Sequence, residues 1–196
     1  MPPKNDRELV AASREGDLDA FGTLVQRYQK RIYRIALHLL RDADDAEDVT
    51  QEAFVHAFAA LDRFDGRSQP FTWMYRIAVN LSLNAIRARK SRRKAGALDD
   101  PRIAELLANG PQAPENPQAT AAERELAGAL CDAIDALTDT LRTTLVLIVV
   151  DGLSHAEAAE VLGCPEGTIA WRIHEARRKI RKYLDDRGFG AEDPMS

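Results

Sequence analysis

"GLSHAEAAEVLGCPEGTIAWRIHEARRKI", Gly152 to Ile180, reads as two helices separated by a short break. Ser154 is a favoured N-cap and Glu157 stands three residues on, the spacing of a reciprocal capping box. Ala156, Ala159 and Leu162 offer a thin apolar stripe. Gly163 can turn left-handed and stop the helix, and Pro165, with Cys164 before it, suits the first position of the next one. A short helix, a glycine turn and a second helix is the layout of a helix-turn-helix, whose second helix enters the DNA major groove.

Winding the second helix at 100° per residue sorts its faces. Ile169, Ile173, Ala176, Ile180 and Leu184 fall on one side and are expected in the core. Gly167, Trp171, His174 and Arg178 point the other way, with Glu175 and Lys182 nearby. Two readings of Trp171 stay open. Large aromatics are rarely left wet, so it can pack under a neighbouring helix or the C-terminal tail. Alternatively it meets the groove, where an apolar ring contacts a thymine methyl. Glu175, one turn on, is placed to accept from cytosine N4, and Arg178 to meet a phosphate. "RRKIRK", Arg177 to Lys182, puts five cations in six residues. Such a run suits phosphates or a solvated helix end that complements the dipole.

The chain has 196 residues and a net charge of -4, unusual for a free-standing DNA binder. That sum hides an asymmetry. "RARKSRRK" (Arg87 to Lys94) has six cations in eight residues, and "DADDAED" (Asp42 to Asp48) has five acids in seven. One surface can therefore meet phosphates while another meets a basic partner. An acidic whole also limits stray DNA binding, as befits a protein delivered to DNA by something else. Cys131 and Cys164 make no metal-type spacing and are expected as small buried or half-buried thiols. No charged-then-apolar leader opens the chain, and its longest apolar run, "LVLIVV" (Leu145 to Val150), is six residues. A membrane span needs roughly 18, so the expectation is a cytoplasmic protein with no membrane insertion.

Residues 96–122 carry Pro101, Pro111, Pro114 and Pro117 among Ala, Gln, Asn and Gly, a linker composition with room for a short helix at Ile103 to Ala108. On either side apolar positions recur at helical spacing. Phe21, Leu24, Tyr28, Ile32, Ile35 and Leu39 follow Asp17 as a cap. Val49, Ala53, Ala57 and Ala60 come next, then Trp73, Ile77, Leu81 and Ile86. Beyond the linker, Leu126, Leu130, Ile134 and Leu137 precede a helix from about Thr138 to Val150. The β-branched end of that segment has strand propensity, but with no second strand to pair it reads as helix. Each lobe holds about 80 residues, enough to fold alone.

In "DAEDVTQEAFVHAF" (Asp45 to Phe58) the acids fill the first turn, where the dipole favours them. Asp48, Gln51 and Glu52 form a polar edge beside the apolar stripes, either a solvated face or a docking one. Asp42, Asp44, Asp45 and Asp48 lack the spacing of a metal site, and no catalytic, metal or cofactor site is expected. In "FDGRSQPFTWMYRIAVNLSLNAIRARKSRRK" (Phe64 to Lys94) a polar loop runs into a helix that ends in cations. Phe71, Trp73 and Tyr75 beside Arg76, Asn80 and Asn84 supply stacking faces and base-edge hydrogen bonds, a mixture suited to single-stranded DNA. The plainer reading places Phe71 and Trp73 in the core.

"DAEDVTQEAF", "FTWMYRIAVN" and "GLSHAEAAEVLGCPEGTI…RIHEARRKI" resemble regions 2.2, 2.3–2.4 and 4.2 of bacterial sigma-70 factors. The two-lobe form without region 3 is similar to the extracytoplasmic-function (ECF) subgroup. The resemblance runs from about Gly16 to Leu184, with Phe21 to Leu40 standing for region 2.1. It implies an all-α fold of two small helical domains: a region 2-like bundle over 1–95 and a region 4-like helix-turn-helix over 123–185. A linker over 96–122 joins them and a flexible tail covers 186–196. It implies that the Asp48, Gln51 and Glu52 edge grips the β′ coiled coil of core RNA polymerase. Asp65, Arg67, Ser68, Gln69 and Phe71, with Tyr75, Arg76, Asn80 and Asn84, would capture the single-stranded −10 element. Arg87, Arg89 and Lys90 would hold nearby backbone. Gly167, Thr168, Ala170, Trp171, Arg172, His174, Glu175 and Arg178 would read the duplex −35 element, with the β flap of the polymerase as the second lobe's protein partner.

Three departures stand out. ECF recognition helices often carry Arg or Lys and then Ser after "GT[VI]", where this chain has Ala170 and Trp171, and Glu175 takes a commonly basic place. Thr138 replaces a frequent Pro. "LVLIVV" is more apolar than in relatives, as if a partner, an anti-sigma factor, covered one face. Two other classes account for less of the sequence. A two-domain helix-turn-helix regulator leaves the acidic edge and aromatic loop without a purpose. A carboxylate-metal nuclease needs convergent acids, and these crowd one helix start.

Overall fold

The computed structural model describes residues 5–94 and 120–189, and among them every regular element is helical. The linker prolines, the short helix expected at Ile103 to Ala108 and the tail beyond residue 189 lie outside the described residues. The described residues form two compact units, one from the helices before residue 95 and the other from most of the chain after residue 119.

The first unit contains α1 (Asp6–Arg14), α2 (Leu18–Leu40), α3 (Ala43–Ala59), a 3-10 turn (Leu61–Arg63) and α4 (Pro70–Lys94). Local chemistry sets their starts. Asn5 and Glu8 close a capping box on α1. Asp17 accepts from the amide of Ala20 at 2.9 Å, and Asp42 accepts from Asp44 and Asp45. These carboxylates answer amides that the first turn leaves without helical partners. Pro70 opens α4, where its missing N–H costs nothing. The core joins Leu24 and Ile32 of α2, Ala53, Phe54 and Ala57 of α3, and Trp73, Met74 and Ala78 of α4. Leu9 and Val10 of α1 lie in the same cluster. Trp73 is thus a core residue, as the plainer reading has it.

The second unit contains α5 (Ala121–Asp135), α6 (Asp139–Leu145), a π turn (Val146–Val150), most of α7 (His155–Leu162) and α8 (Glu166–Asp185). The apolar run after Leu145 is helical, as expected, with a wider turn: the amide of Asp151 donates to Val146 at 3.1 Å. Its inner half, Val146 and Leu147, is buried, whereas Val149 and Val150 are exposed. Ser154 and Glu157 form the expected capping box. Gly163 is left-handed at φ 63 and ends α7, a conformation that a side chain would strain. Leu137, Leu141 and Leu145 pack with Ile173 and Ala176, and Ile134 and Ile180 close the margin of this core.

Several expectations shift by one helical face or one residue. Ala156 is exposed, and the buried residues of α7 and its entry are Leu153, Ala158 and Val161. Leu153 and Ala158 hold the N′ and N4 positions of a hydrophobic staple, which turns that side inward. On α5 the seam toward α8 runs through Ala129 and Ala133, small enough for close approach, and Leu126 and Leu130 stay exposed. Helix α5 itself begins at Ala121, inside the stretch assigned to the linker. Pro165 is the N-cap of α8, not its first residue, because its ψ of 147 is extended. Cys131 is exposed and Cys164 half-buried. Leu184 is half-buried near the end of α8. Among the described residues no helix is long and apolar enough to cross a membrane.

Helix α1 is fastened to α2 by Asp6, which accepts from Arg27 at 2.7 Å and from the Tyr28 hydroxyl. Burial, then this hydrogen bond, pushes the Tyr28 phenol from 10.0 up to about 12. Between those values the folded chain holds a proton that the unfolded chain has lost. The associated stability is intact below pH 10 and drains away as pH rises toward 12. Tyr28→Phe is therefore expected to flatten the alkaline limb of the urea-unfolding stability profile between about pH 10 and 12. An unchanged limb would show that the Tyr28 phenol is not raised in the folded chain.

Candidate nucleic-acid interface

Helix α3 turns Ala46, Val49, Ala53 and Ala57 inward. One consequence is that Asp48, Gln51 and Glu52 all project into solvent. Their partners are local: Gln51 Nε2 donates to Glu47 at 3.5 Å, and Glu52 lies 3.5 Å from His56 one turn on. Val55 continues the same outward line and is 66% exposed, an apolar residue on an acidic edge that the spacing of acids alone did not flag.

The loop ahead of α4 is shaped by Asp65, whose Oδ1 accepts from the amide of Arg67 at 3.0 Å. Its Oδ2 lies 3.3 Å from the Arg67 guanidinium. Gly66 sits at φ 73, so the turn needs a residue without a Cβ. Arg67 and Gln69 are exposed and Ser68 is half-buried. The loop is rooted in the core by Phe64, whose ring meets Trp73 at 5.0 Å.

Beyond the loop the aromatics divide. Phe71 is half-buried, with Tyr28 at 4.9 Å, Tyr75 at 5.2 Å and the Arg31 guanidinium 3.9 Å from its centroid. Tyr75 is 1% exposed, which corrects the expectation that it offers a stacking face. Its place on α4, four residues from both Phe71 and Val79, turns it into the bundle. Tyr28 and Arg31 belong to α2, and periodicity read Tyr28 only as core and did not mark Arg31. On the outer side of α4, Asn80, Asn84 and Arg87 stand at helical spacing and are exposed, with Arg87 donating to Asn84 at 2.9 Å. Arg76 and Arg89 are half-buried and Lys90 is exposed. The side chains of Arg93 and Lys94 lie outside those described.

On α8, Gly167, Ala170 and His174 are exposed and Thr168 is half-buried. Trp171 is 62% exposed, because Ile169, Ile173 and Ala176 occupy the inner face. Arg172 turns back, its Nη1 donating to the Cys164 sulfur at 3.7 Å. Glu175 and Arg178 pair with each other, Nε and Nη2 of the guanidinium donating to the two carboxylate oxygens at 2.8 and 2.7 Å. The Arg178 bonds hold the Glu175 carboxyl below the usual range, and Glu175 raises the guanidinium in turn. Neither is the independent contact that their spacing suggested. Among the described residues no group of three or more His, Cys, Asp or Glu is arranged to hold a metal ion.

Comparison with known proteins gives the same two-part division. A family model described as Sigma-70 region 2 matches residues 24–92, and one described as Sigma-70, region 4 matches residues 128–180. The ECF RNA polymerase sigma factor SigW of Bacillus subtilis is 35% identical over 185 residues, 92% of this chain and 97% of SigW. The ECF RNA polymerase sigma-E factor of Escherichia coli K12 is 38% identical over 89% of this chain and 92% of its own length. Among solved structures, CnrH in complex with the cytosolic domain of CnrY aligns with a TM-score of 0.63 at 29% identity, covering 92% of this chain and 97% of that one.

Replacing a ring that is mostly exposed removes little folding energy. Trp171→Ser is expected to move the melting temperature by no more than about 3 °C in a circular-dichroism melt. A drop several times larger would assign the ring to packing.

Proposed function

The chain belongs to the ECF subgroup of the sigma-70 family and acts as a sigma factor in transcription initiation, and from that premise we propose how its surfaces divide the work. The stand-alone regulator is not favoured, since region 2 and region 4 both match in order. Residues 1–95 form the polymerase-binding and DNA-opening domain, 96–122 the linker, 123–185 the −35-reading domain and 186–196 a tail.

The acidic edge of Asp48, Gln51 and Glu52, continued by Val55, grips the β′ coiled coil of core RNA polymerase. The carrying observation is that α3 buries its small residues and leaves this edge wholly to solvent. Two carboxylates in line with an apolar residue suit a basic helical partner, with charge steering and burial dividing the affinity. The Asp65 to Phe71 loop and Asn80 capture a flipped base of the −10 non-template strand, and Arg87, Arg89 and Lys90 hold its backbone. The ring available for stacking is Phe71, backed by Tyr28 and Arg31, while Tyr75 supports it from inside. Helix α8 reads the duplex −35 element with Trp171 toward a thymine methyl, and the β flap is the second domain's protein partner. An anti-sigma factor covers Val149 and Val150, two adjacent apolar residues more than half exposed. The protein carries out no catalysis of its own and works without a cofactor in the cytoplasm.

Reversing Asp48 and Glu52 together to Lys is expected to weaken co-purification with core polymerase by about tenfold or more. The melting temperature should stay within about 3 °C of wild type, because exposed helix charges change stability little. Wild-type binding by that variant would remove the edge from the interface. Sequencing the transcripts that reconstituted holoenzyme starts tests the −35 assignment. Trp171→Ser should change which upstream bases are shared, whereas identical motifs from both proteins would exclude the ring from base reading.

A further inference from the structure

The loop from Asp65 to Gln69 is held from behind by a helix that neither the charge pattern nor the family resemblance singles out. Arg14, the last residue of α1, donates through Nε to the carbonyl of Leu61 at 2.7 Å and through Nη2 to the carbonyl of Phe64. Those carbonyls are 47 and 50 residues away in sequence, and they bracket the 3-10 turn. Phe64 is the last residue before the loop. Its extended backbone, at φ -70 and ψ 110, gives its carbonyl no helical amide to accept from, and a part-buried carbonyl is satisfied by such a donor. A planar guanidinium can serve two carbonyls at once in a fixed geometry, which an ammonium cannot.

The other contacts of this segment point the same way. The Phe64 ring is buried against Trp73, so the loop entry is pinned through its side chain by α4 and through its main chain by α1. Helix α1 is in turn anchored by Leu9 and Val10 in the core and by Asp6 on Arg27 and Tyr28. The loop exit meets the same helix: Gln69 lines a groove of about 520 Å³ with Asn5, Asp6, Arg7, Glu8 and Ala11. Both ends of the loop therefore border α1.

We infer that α1 is the template for the base-capture loop, and that Arg14 is a positioning residue for promoter opening. It acts by fixing where the chain leaves Phe64. The inference rests on the assignment of the loop to −10 capture, and the test separates the two. Full-length protein is combined with core polymerase on a promoter identified from the wild-type transcripts. Arg14→Met removes both donors while keeping an unbranched stem, and Arg14→Lys keeps the charge on a single nitrogen. With Arg14→Met, holoenzyme formation is expected to be unchanged. Hydrogen exchange of the amides at 65–69 in the free protein should speed up about tenfold. Open-complex formation on duplex promoter should slow about tenfold, with Arg14→Lys in between. In an Asn80→Ala background Arg14→Met should add little, because both act through the same captured base. A general stability defect would instead add in full.

Unchanged exchange at 65–69, full additivity with Asn80→Ala, or a parallel loss of polymerase binding would each overturn the role of Arg14. If Asn80→Ala and a shortened Arg67 to Gln69 loop both leave opening untouched, the base-capture reading falls. Loosened loop amides in Arg14→Met would then reduce Arg14 to a clasp without a part in opening.

Discussion

The first unit depends on a seam of small side chains. Ala46, Ala53 and Ala57 of α3 are essentially inaccessible to solvent, as are Leu24, Ile32, Ile35 and Ala36 of α2. Alanine at those positions lets the α3 backbone come close to α2, so that α3 is secured by a narrow inward stripe. A bulkier residue there would push the helices apart at a cost of roughly 1–3 kcal/mol. Because the stripe is narrow, most of the circumference of α3 is free, and Asp48, Gln51, Glu52 and Val55 occupy it. The acidic edge is therefore a product of the same packing that makes the bundle.

Helix α4 shows a second consequence of that packing. Its first half lies in the core through Trp73, Met74, Ala78 and Val79, and Ser82 and Ile86 are still buried further along. The helix runs on unbroken to Lys94. Asn80, Asn84 and Arg87 lie on its outer side, so their positions are dictated by what the inner side buries. The loop before it, rooted by Phe64 on Trp73, inherits the same reference frame. Side chains proposed to touch DNA are thus carried by one rigid helix and by a loop tied to its base. A precise binding site needs that kind of support.

Local signals were legible in the sequence and long-range ones were not. Ser154, Glu157 and Gly163 define a helix and its end within ten residues, and the structure has them in those roles. Asp17, Ile169, Ile173 and Ala176 were legible for the same reason. The misplacements concern neighbouring faces. Ala156 against Ala158, and Leu126 and Leu130 against Ala129 and Ala133, differ by a rotation that only the tertiary partner decides. Tyr75 looked like an open stacking ring because aromatic residues serve both cores and binding faces, and burial cannot be read from residue type. Arg14 and Arg31 had no signature at all. A guanidinium reaching carbonyls some 50 residues away, or an aromatic ring on another helix, leaves no periodic trace in the chain.

The charge distribution on α8 carries this reasoning one step further. A helix meant to hold DNA by itself would spend its cations on phosphates, since those contacts supply most sequence-independent affinity. Here Arg178 is engaged by Glu175 in a two-point pair, and Arg172 turns toward Cys164. The exposed face around Trp171 carries that internally paired charge, and further exposed cations gather along the helix at Arg177, Lys179, Arg181 and Lys182. Base contacts discriminate while phosphate contacts bind, so such a face gains selectivity more than affinity. In a chain whose net charge is -4, that arrangement suits a reader brought to the duplex by a larger assembly. On the proposed reading the assembly supplies the attraction, and α8 is left to distinguish one sequence from another.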